Sequence, residues 1–280
     1  MFNQDLTIII NTFNSDEKIF SCIESISPNI GIIIIENSNN IEFKNNIEKK
    51  YRNVKCELTG KNLGYANGNN LGLSKVKTKF SLILNPDTLI KKNSIENFFK
   101  TANTYPNFGI IGPAIQEEKD LKLKINTKNL IEVDNVKGFA MFLNMKQFKE
   151  IGFFDQNFFI YFEEIDLCRR LKKANKKIYL DPNIIINHVG GSSHNKSINF
   201  EMELSRNWHW MWSTFYYHKK YSGFIFALLK VIKKLISALF KILFYSIIFK
   251  ENKKKIYYQR ASGLLNSIIG NKSWYRPKVL

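Results

Sequence analysis

Cysteine is scarce in this 280-residue chain: Cys22, Cys56 and Cys168 are odd in number and far apart. That excludes a disulfide-stapled scaffold and any metal-finger spacing, and it fits a reducing, cytosolic setting. Proline (6) and glycine (14) are too few for a collagen-like or low-complexity chain, and no internal repeat is visible. Met1–Asp5 lacks a basic stretch leading into an apolar run, so no secretory leader is expected. The apolar runs are also shorter than the ~20 residues a membrane-spanning helix needs. The sharpest shortage is of acid. Beyond residue 216 the only carboxylate side chain is Glu251, against 14 Lys and Arg, a net of +13. Residues 1–216 hold 28 basic and 23 acidic side chains, a net of +5, which completes the chain's +18.

What is present is a core. Hydrophobic residues make up 44% and aromatics 14%, with 23 Phe, so a disordered chain is excluded. Short β-rich runs at Leu6–Ile10, Ile32–Ile35, Val54–Leu58 and Phe80–Leu84 alternate with helical patterns at Asp16–Ser27, Ile41–Tyr51 and Asn67–Ser74. Ser15 is placed to cap the first helix. Strands apolar on both faces and separated by helices predict an α/β fold with a parallel sheet covered on both sides. Ligands in that class bind at the carboxyl ends of the strands.

Polar residues follow three of these runs: Asn11-Thr-Phe-Asn14, Glu36-Asn-Ser38 and Asn85-Pro-Asp87. The Gly/Asn-rich segment Lys61–Gly72 lies between them and reads as backbone able to approach a ligand. Each could equally be turn chemistry. Asp87 can offer a hard carboxylate to Mg²⁺ or Mn²⁺. Glu163, Glu164 and Asp166 open an apparent helix behind the aromatic stretch 158–162. They read either as complements of the helix dipole or as a desolvated acidic site with a raised pKa. Trp208, Trp210 and Trp212 read as core or interface in preference to a sugar-stacking platform.

The basic tail holds Ser222–Phe249, in which Lys230, Lys233, Lys234 and Lys241 fall on one helical face amid Phe, Leu and Ile. A helix lying in an anionic headgroup region, with Lys250 and Lys253–Lys255 beyond it, fits this pattern. The alternative is a core helix with a solvated lysine stripe. Lysines interleaved with aliphatic residues and no groove-reading motif give no expectation of nucleic acid.

Thr7–Asn14, Asn62–Gly72, Leu84–Asp87, Gly152–Leu171 and Asn187–Ser193 occur in the order found in a known family. Through them the chain resembles the inverting family-2 glycosyltransferases of the GT-A fold, in the rhamnosyltransferase-like branch. The resemblance implies a Rossmann-like mixed sheet with helices on both faces over residues 1–215. Residues 1–115 would be the nucleotide-binding half and 116–215 the acceptor half, followed by a basic helical, membrane-associating region at 216–280. It implies a nucleotide diphosphate sugar donor, with Thr12 and Phe13 lining the base pocket and Glu36 accepting from a pyrimidine N–H. Asn14, Asn62, Gly64, Asn70 and Asn85 would be further donor contacts. Asp87 and His188 become ligands of Mn²⁺ or Mg²⁺, although Asn85 stands where such enzymes often carry a second acid. The general base would be Glu164, with Glu163 as the alternative and Asp166 bracing the helix or meeting the acceptor. dTDP-rhamnose is the first donor implied and a UDP-hexose the alternative. The acceptor would be a glycan, lipid-linked at the inner face of the cytoplasmic membrane. A non-catalytic sugar-nucleotide-binding scaffold and a membrane-surface adaptor are the rival classes.

Overall fold

The computed structural model describes residues 2–15, 18–114, 129–188 and 195–278. They form two units: residues 1–154 with 164–195, and residues 155–163 with 196–280.

The first unit is built on Ile-rich strands, whose β-branched side chains suit a sheet buried on both faces. In chain order its elements begin β1 (Leu6–Thr12), α1 (Lys18–Glu24), β2 (Gly31–Glu36), α2 (Ile41–Lys50), β3 (Val54–Leu58) and α3 (Gly64–Ser74). Then come β4 (Phe80–Leu84), β5 (Thr88–Ile90), α4 (Ser94–Thr104), β6 (Phe108–Ala114) and β7 (Ile131–Glu132). β8 (Ala140–Asn144), α5 (Phe148–Ile151), α6 (Glu163–Lys173) and β9 (Lys177–His188) complete it, with α6 starting at the edge of the second unit. The strand order is β3-β2-β1-β4-β8-β6-β9-β5, with β7 on β9. β1 to β4 are parallel to one another, whereas β8 runs antiparallel to β4 and β6. The sheet is therefore mixed, as the resemblance implies, rather than the purely parallel sheet read from the first four strands.

Alternate residues serve opposite faces of the sheet. Leu6, Ile8 and Ile10 join one core with residues from α1, α2 and α4. Ile9 and Ile35 meet α3, which lies so close that a Cβ on Gly72 would sit 2.6 Å from Ile9 Cγ2. Gly68 comes equally close to Asn11. The helix expected at Asn67–Ser74 is present and starts earlier, at Gly64. Its glycines let it approach the sheet. α1 ends at Glu24 rather than Ser27, and residue 16, where that helix was expected to begin, lies outside the described residues, as does the 115/116 boundary.

The second unit holds α7 (Asn199–Ser222), α8 (Phe224–Ile247) and α9 (Glu251–Ile268). The boundary expected at 215/216 falls inside α7, one continuous helix. α7 turns into α8 at Gly223, whose φ of +82° is left-handed and costs glycine little. Met211, Phe215, Ala227, Val231 and Leu264 form the core of the three helices. Trp208 donates to Ser262 Oγ (3.2 Å), and Ser267 Oγ donates to the Trp212 carbonyl (2.9 Å). The loop 155–163 is stitched to this unit. Asp155 accepts from Lys220 (2.7 Å) and Tyr216 (3.0 Å), and Ser213 Oγ donates to the Ile160 carbonyl (3.0 Å).

Candidate active site

Register alone aligns the polar strand ends. Thr12 pairs with Glu36 across β1 and β2, and Ile10 pairs with Leu84 across β1 and β4. Residues 11–14, 36–38 and 85–87 thus leave the sheet along one edge. β5 follows immediately and pairs antiparallel with the end of β9, so that Thr88 faces His188. That pairing brings Asp87 Oδ1 within 3.3 Å of His188 Nε2. Asn85 Nδ2 lies 3.5 Å from the same nitrogen. Phe139 stacks flat on the imidazole, with centroids 4.6 Å apart and planes 4° apart, and its carbonyl accepts from the Asn85 N–H (2.9 Å).

The pair has the chemistry and spacing of metal ligands. A buried carboxylate oxygen and an imidazole nitrogen are a donor pair suited to Mn²⁺. Neighbouring donors around an ion bound at about 2.1 Å lie roughly 3 Å apart, close to the observed separation. Among the described residues no group of three or more His, Cys, Asp and Glu side chains could hold an ion. The residues therefore fit an ion that takes two protein ligands and draws its remaining oxygens from elsewhere. Residues 189–193 of the motif after His188 lie outside the described residues.

The nucleotide-side candidates fall into two groups. Thr12 is buried, and its Oγ1 has no hydrogen-bond partner among the described residues. Phe13 is half-buried beside it. Asn14 holds a left-handed φ of 46°, its N–H donating to Ser38 Oγ (2.5 Å) and its carbonyl accepting from Asn195 (2.8 Å). Asn62 Oδ1 accepts from the Gly64 N–H (3.0 Å). Two other residues already do structural work. Glu36 accepts from the Ser38 and Asn40 N–H groups (2.9 and 2.8 Å), which leaves each oxygen one further lone pair. Asn70 was expected at ribose or phosphate, but its amide clasps the Phe154 backbone, accepting from its N–H and donating to its carbonyl, both at 2.9 Å.

At the start of α6, Glu163 is buried and Glu164 half-buried. Burial pushes the Glu164 pKa up, opposed by the N–H groups of Glu164 itself and Ile165. Its Oε2 is buried with no hydrogen-bond partner among the described residues. Asp166 is fully buried and bound to Arg170 Nε (2.8 Å), and Arg170 NH1 in turn holds the Ile151 carbonyl (2.8 Å). The bond to Arg170 is one that would brace the helix start.

Sequence reasoning missed several supporting residues. Asn11 Nδ2 donates to the carbonyls of Gly64 (2.9 Å) and Tyr65 (3.1 Å), and Asn37 Oδ1 accepts from the Leu63 N–H (3.0 Å). With the hydrogen bond that Asn37 Nδ2 donates to Asn11 Oδ1, these tie the start of α3 to two strand ends. Phe139 carried no local signal. Nor did Tyr161 and Phe162, both left-handed at φ 72° and 70° immediately before α6. Trp208 and Trp212 are core, as read, but Trp210 is 41% exposed and meets both Tyr161 and Phe162.

The sequence model described as Glycosyl transferase family 2 matches residues 7–170. The low-salt glycan biosynthesis hexosyltransferase Agl10 of Haloferax volcanii is 28% identical over 198 residues, covering 62% of this chain and 64% of that protein. The rhamnosyltransferase WbbL of Escherichia coli is 26% identical over 194 residues, 57% of this chain and 72% of WbbL. Among solved structures, the mannosyltransferase PcManGT of Pyrobaculum calidifontis, in complex with GDP-Man and Mn²⁺, superposes with a TM-score of 0.61 at 10% identity. That match covers 94% of this chain and 87% of PcManGT. GalNAc-T7 with UDP, GalNAc and Mn²⁺ gives 0.56 at 13% identity over 65% of this chain and 43% of its own. The chain thus spans less than two thirds of the length of Agl10 and of GalNAc-T7.

Proposed function

The chain belongs to glycosyl transferase family 2 and has the GT-A fold, and from that premise we propose that it is an inverting, metal-dependent glycosyltransferase acting on a glycan hydroxyl. The observation that carries this reading is the contact of Asp87 with His188 at the strand ends. When bound there, Mn²⁺ or Mg²⁺ would neutralise charge on the departing nucleoside diphosphate. Asp87 and His188 would hold the ion, and Phe139, stacked flat on the imidazole, fixes the plane of its ring. Thr12, Phe13, Asn14, Glu36, Asn62 and Gly64 position the nucleotide, while Asn85 lies at the sugar-diphosphate end. Glu164 takes the proton of the acceptor hydroxyl as that oxygen displaces the diphosphate from the opposite face, which inverts the anomeric centre. Its raised pKa makes it a better base than an ordinary surface carboxylate. Glu163 is the alternative base.

dTDP-rhamnose remains the first donor, supported by the likeness to WbbL; the hexosyltransferase Agl10 supports a UDP-hexose. The acceptor is a glycan carried on a lipid, and the basic C-terminal region keeps the protein peripheral at the inner face of the cytoplasmic membrane. The test is a panel of nucleotide sugars scored by release of nucleoside diphosphate, with Mn²⁺, Mg²⁺ or a chelator. One donor should turn over with metal and stop with chelator, and the product anomer should be inverted. If no donor turns over with any metal, the non-catalytic scaffold reading replaces this one.

A further inference from the structure

α8 has three distinct faces. Ala227, Val231 and Ala238 are buried and pack into the second unit. At about 100° per residue, Ile225, Leu229, Ile236, Phe240, Leu243 and Ile247 share a stripe roughly 170° away from that seam. They are 60–74% exposed. Lys230, Lys233, Lys234 and Lys241 run along one flank between the two. Over its 24 residues the helix is about 36 Å long, and the apolar stripe runs its full length. Phe249, 86% exposed, extends it into Lys250 and Lys253–Lys255. Monomers do not ordinarily leave a continuous apolar face of this length to water. One side of α8 thus packs as a core helix does, and the opposite side is an exposed apolar stripe.

The geometry points to α8 as a membrane-docking helix that lies flat in the headgroup region of an anionic bilayer. The stripe is sunk toward the acyl chains and the lysine flank sits level with the lipid phosphates. Charge selects this occupant. Residues 217–280 carry +13, so a second copy laid on the stripe would bring two lysine rows together, whereas an anionic surface accepts the stripe and the lysines at once. Among the described residues no helix is long and apolar enough to cross a membrane, which leaves a helix lying in the surface. The inference deepens the membrane part of the proposed function but does not depend on the transfer chemistry.

The test is flotation of the full chain with vesicles of phosphatidylcholine alone or with one third phosphatidylglycerol. The wild type should float with the anionic vesicles and release as salt rises. Leu229→Glu/Leu243→Glu alters only exposed positions, so its circular dichroism and melting should match wild type. Its partitioning should fall about a hundredfold, roughly tenfold per site. Lys230→Gln/Lys233→Gln/Lys234→Gln should weaken binding to the anionic vesicles and leave the weak neutral binding unchanged. The inference is overturned if wild type fails to float with anionic vesicles, or if the double Glu variant floats as well as wild type. Sedimentation showing a dimer that the double Glu variant abolishes, without vesicle binding, would make a second copy the occupant instead. A chain that turns over no donor yet floats retains this inference and loses only the catalytic one.

Discussion

Glu164→Gln should make the protein more stable and nearly inactive, because one buried carboxylate is asked to serve two opposed ends. Burial raises its pKa above the reference 4.5, and only two backbone N–H groups oppose the shift. The folded chain therefore holds this proton at pH values where the unfolded chain has released it. As pH climbs from about 4.5 toward the raised folded value, the unfolded state binds fewer protons than the folded one. Stability falls across that window at up to about 1.4 kcal/mol per pH unit, and the penalty stays constant above it. Glutamine is neutral throughout and nearly the same shape, so the variant escapes the penalty. Its advantage in melting temperature should be absent at pH 4 and grow as pH rises through the raised pKa. Activity moves the other way, by about 10²–10⁴-fold if Glu164 is the base. The wild-type rate should rise with pH through the raised pKa, and the variant's residual rate should lose that limb. Melting curves across pH and nucleoside diphosphate release with the donor found in the panel measure both effects. A variant within tenfold of wild-type turnover, or a melting difference that does not change with pH, would refute the reasoning.

Two further outcomes follow from the geometry. His188→Ala removes one of the two proposed ligands, so the Mn²⁺ concentration for half-maximal activity should rise about 10–100-fold, with little change in melting without metal; metal titration of the rate checks it. Gly72→Ala places a methyl group 2.6 Å from Ile9 Cγ2 on a central strand. Overpacking of about 1–3 kcal/mol, less about 1 kcal/mol of gained helix propensity, should lower stability by up to about 2 kcal/mol in urea unfolding.

The first four strands were readable because runs of isoleucine have one sensible home, a sheet buried on both faces. β3 and β4 coincide with their expected limits, and β1 and β2 each run a residue or two further. β5, at three residues, and β7, at two, are too short to carry a period, and β8 returns antiparallel through a hydrophobic run that gives no direction. Glycine was harder still. A helix was expected from Asn67, but α3 begins three residues earlier at Gly64, and the four-residue spacing of Gly64, Gly68 and Gly72 places them along that helix, two of them against β1. Asp87 and His188 could be named from motifs, but their contact depends on the antiparallel pairing of β5 with the end of β9, and the reading contained no β5. The polar supports Asn11 and Asn37 sat inside quoted motifs without a role, because a buried asparagine announces nothing until its partner is known.

The segment before α6 shows why the rest was illegible. Two bulky aromatics in succession at positive φ is a conformation that local propensity disfavours, at about 1–3 kcal/mol per residue. Nothing in Tyr161-Phe162 signals it. It persists because the second unit holds both rings: Trp210 meets each of them, Tyr217 stacks near Phe162 at 5.2 Å, and Ser213 fixes the Ile160 carbonyl. The next two residues in the chain are Glu163 and Glu164. Trp210 remains exposed because its task is to hold that turn from outside, and a pattern of helical spacing that marks core positions gave it no separate role.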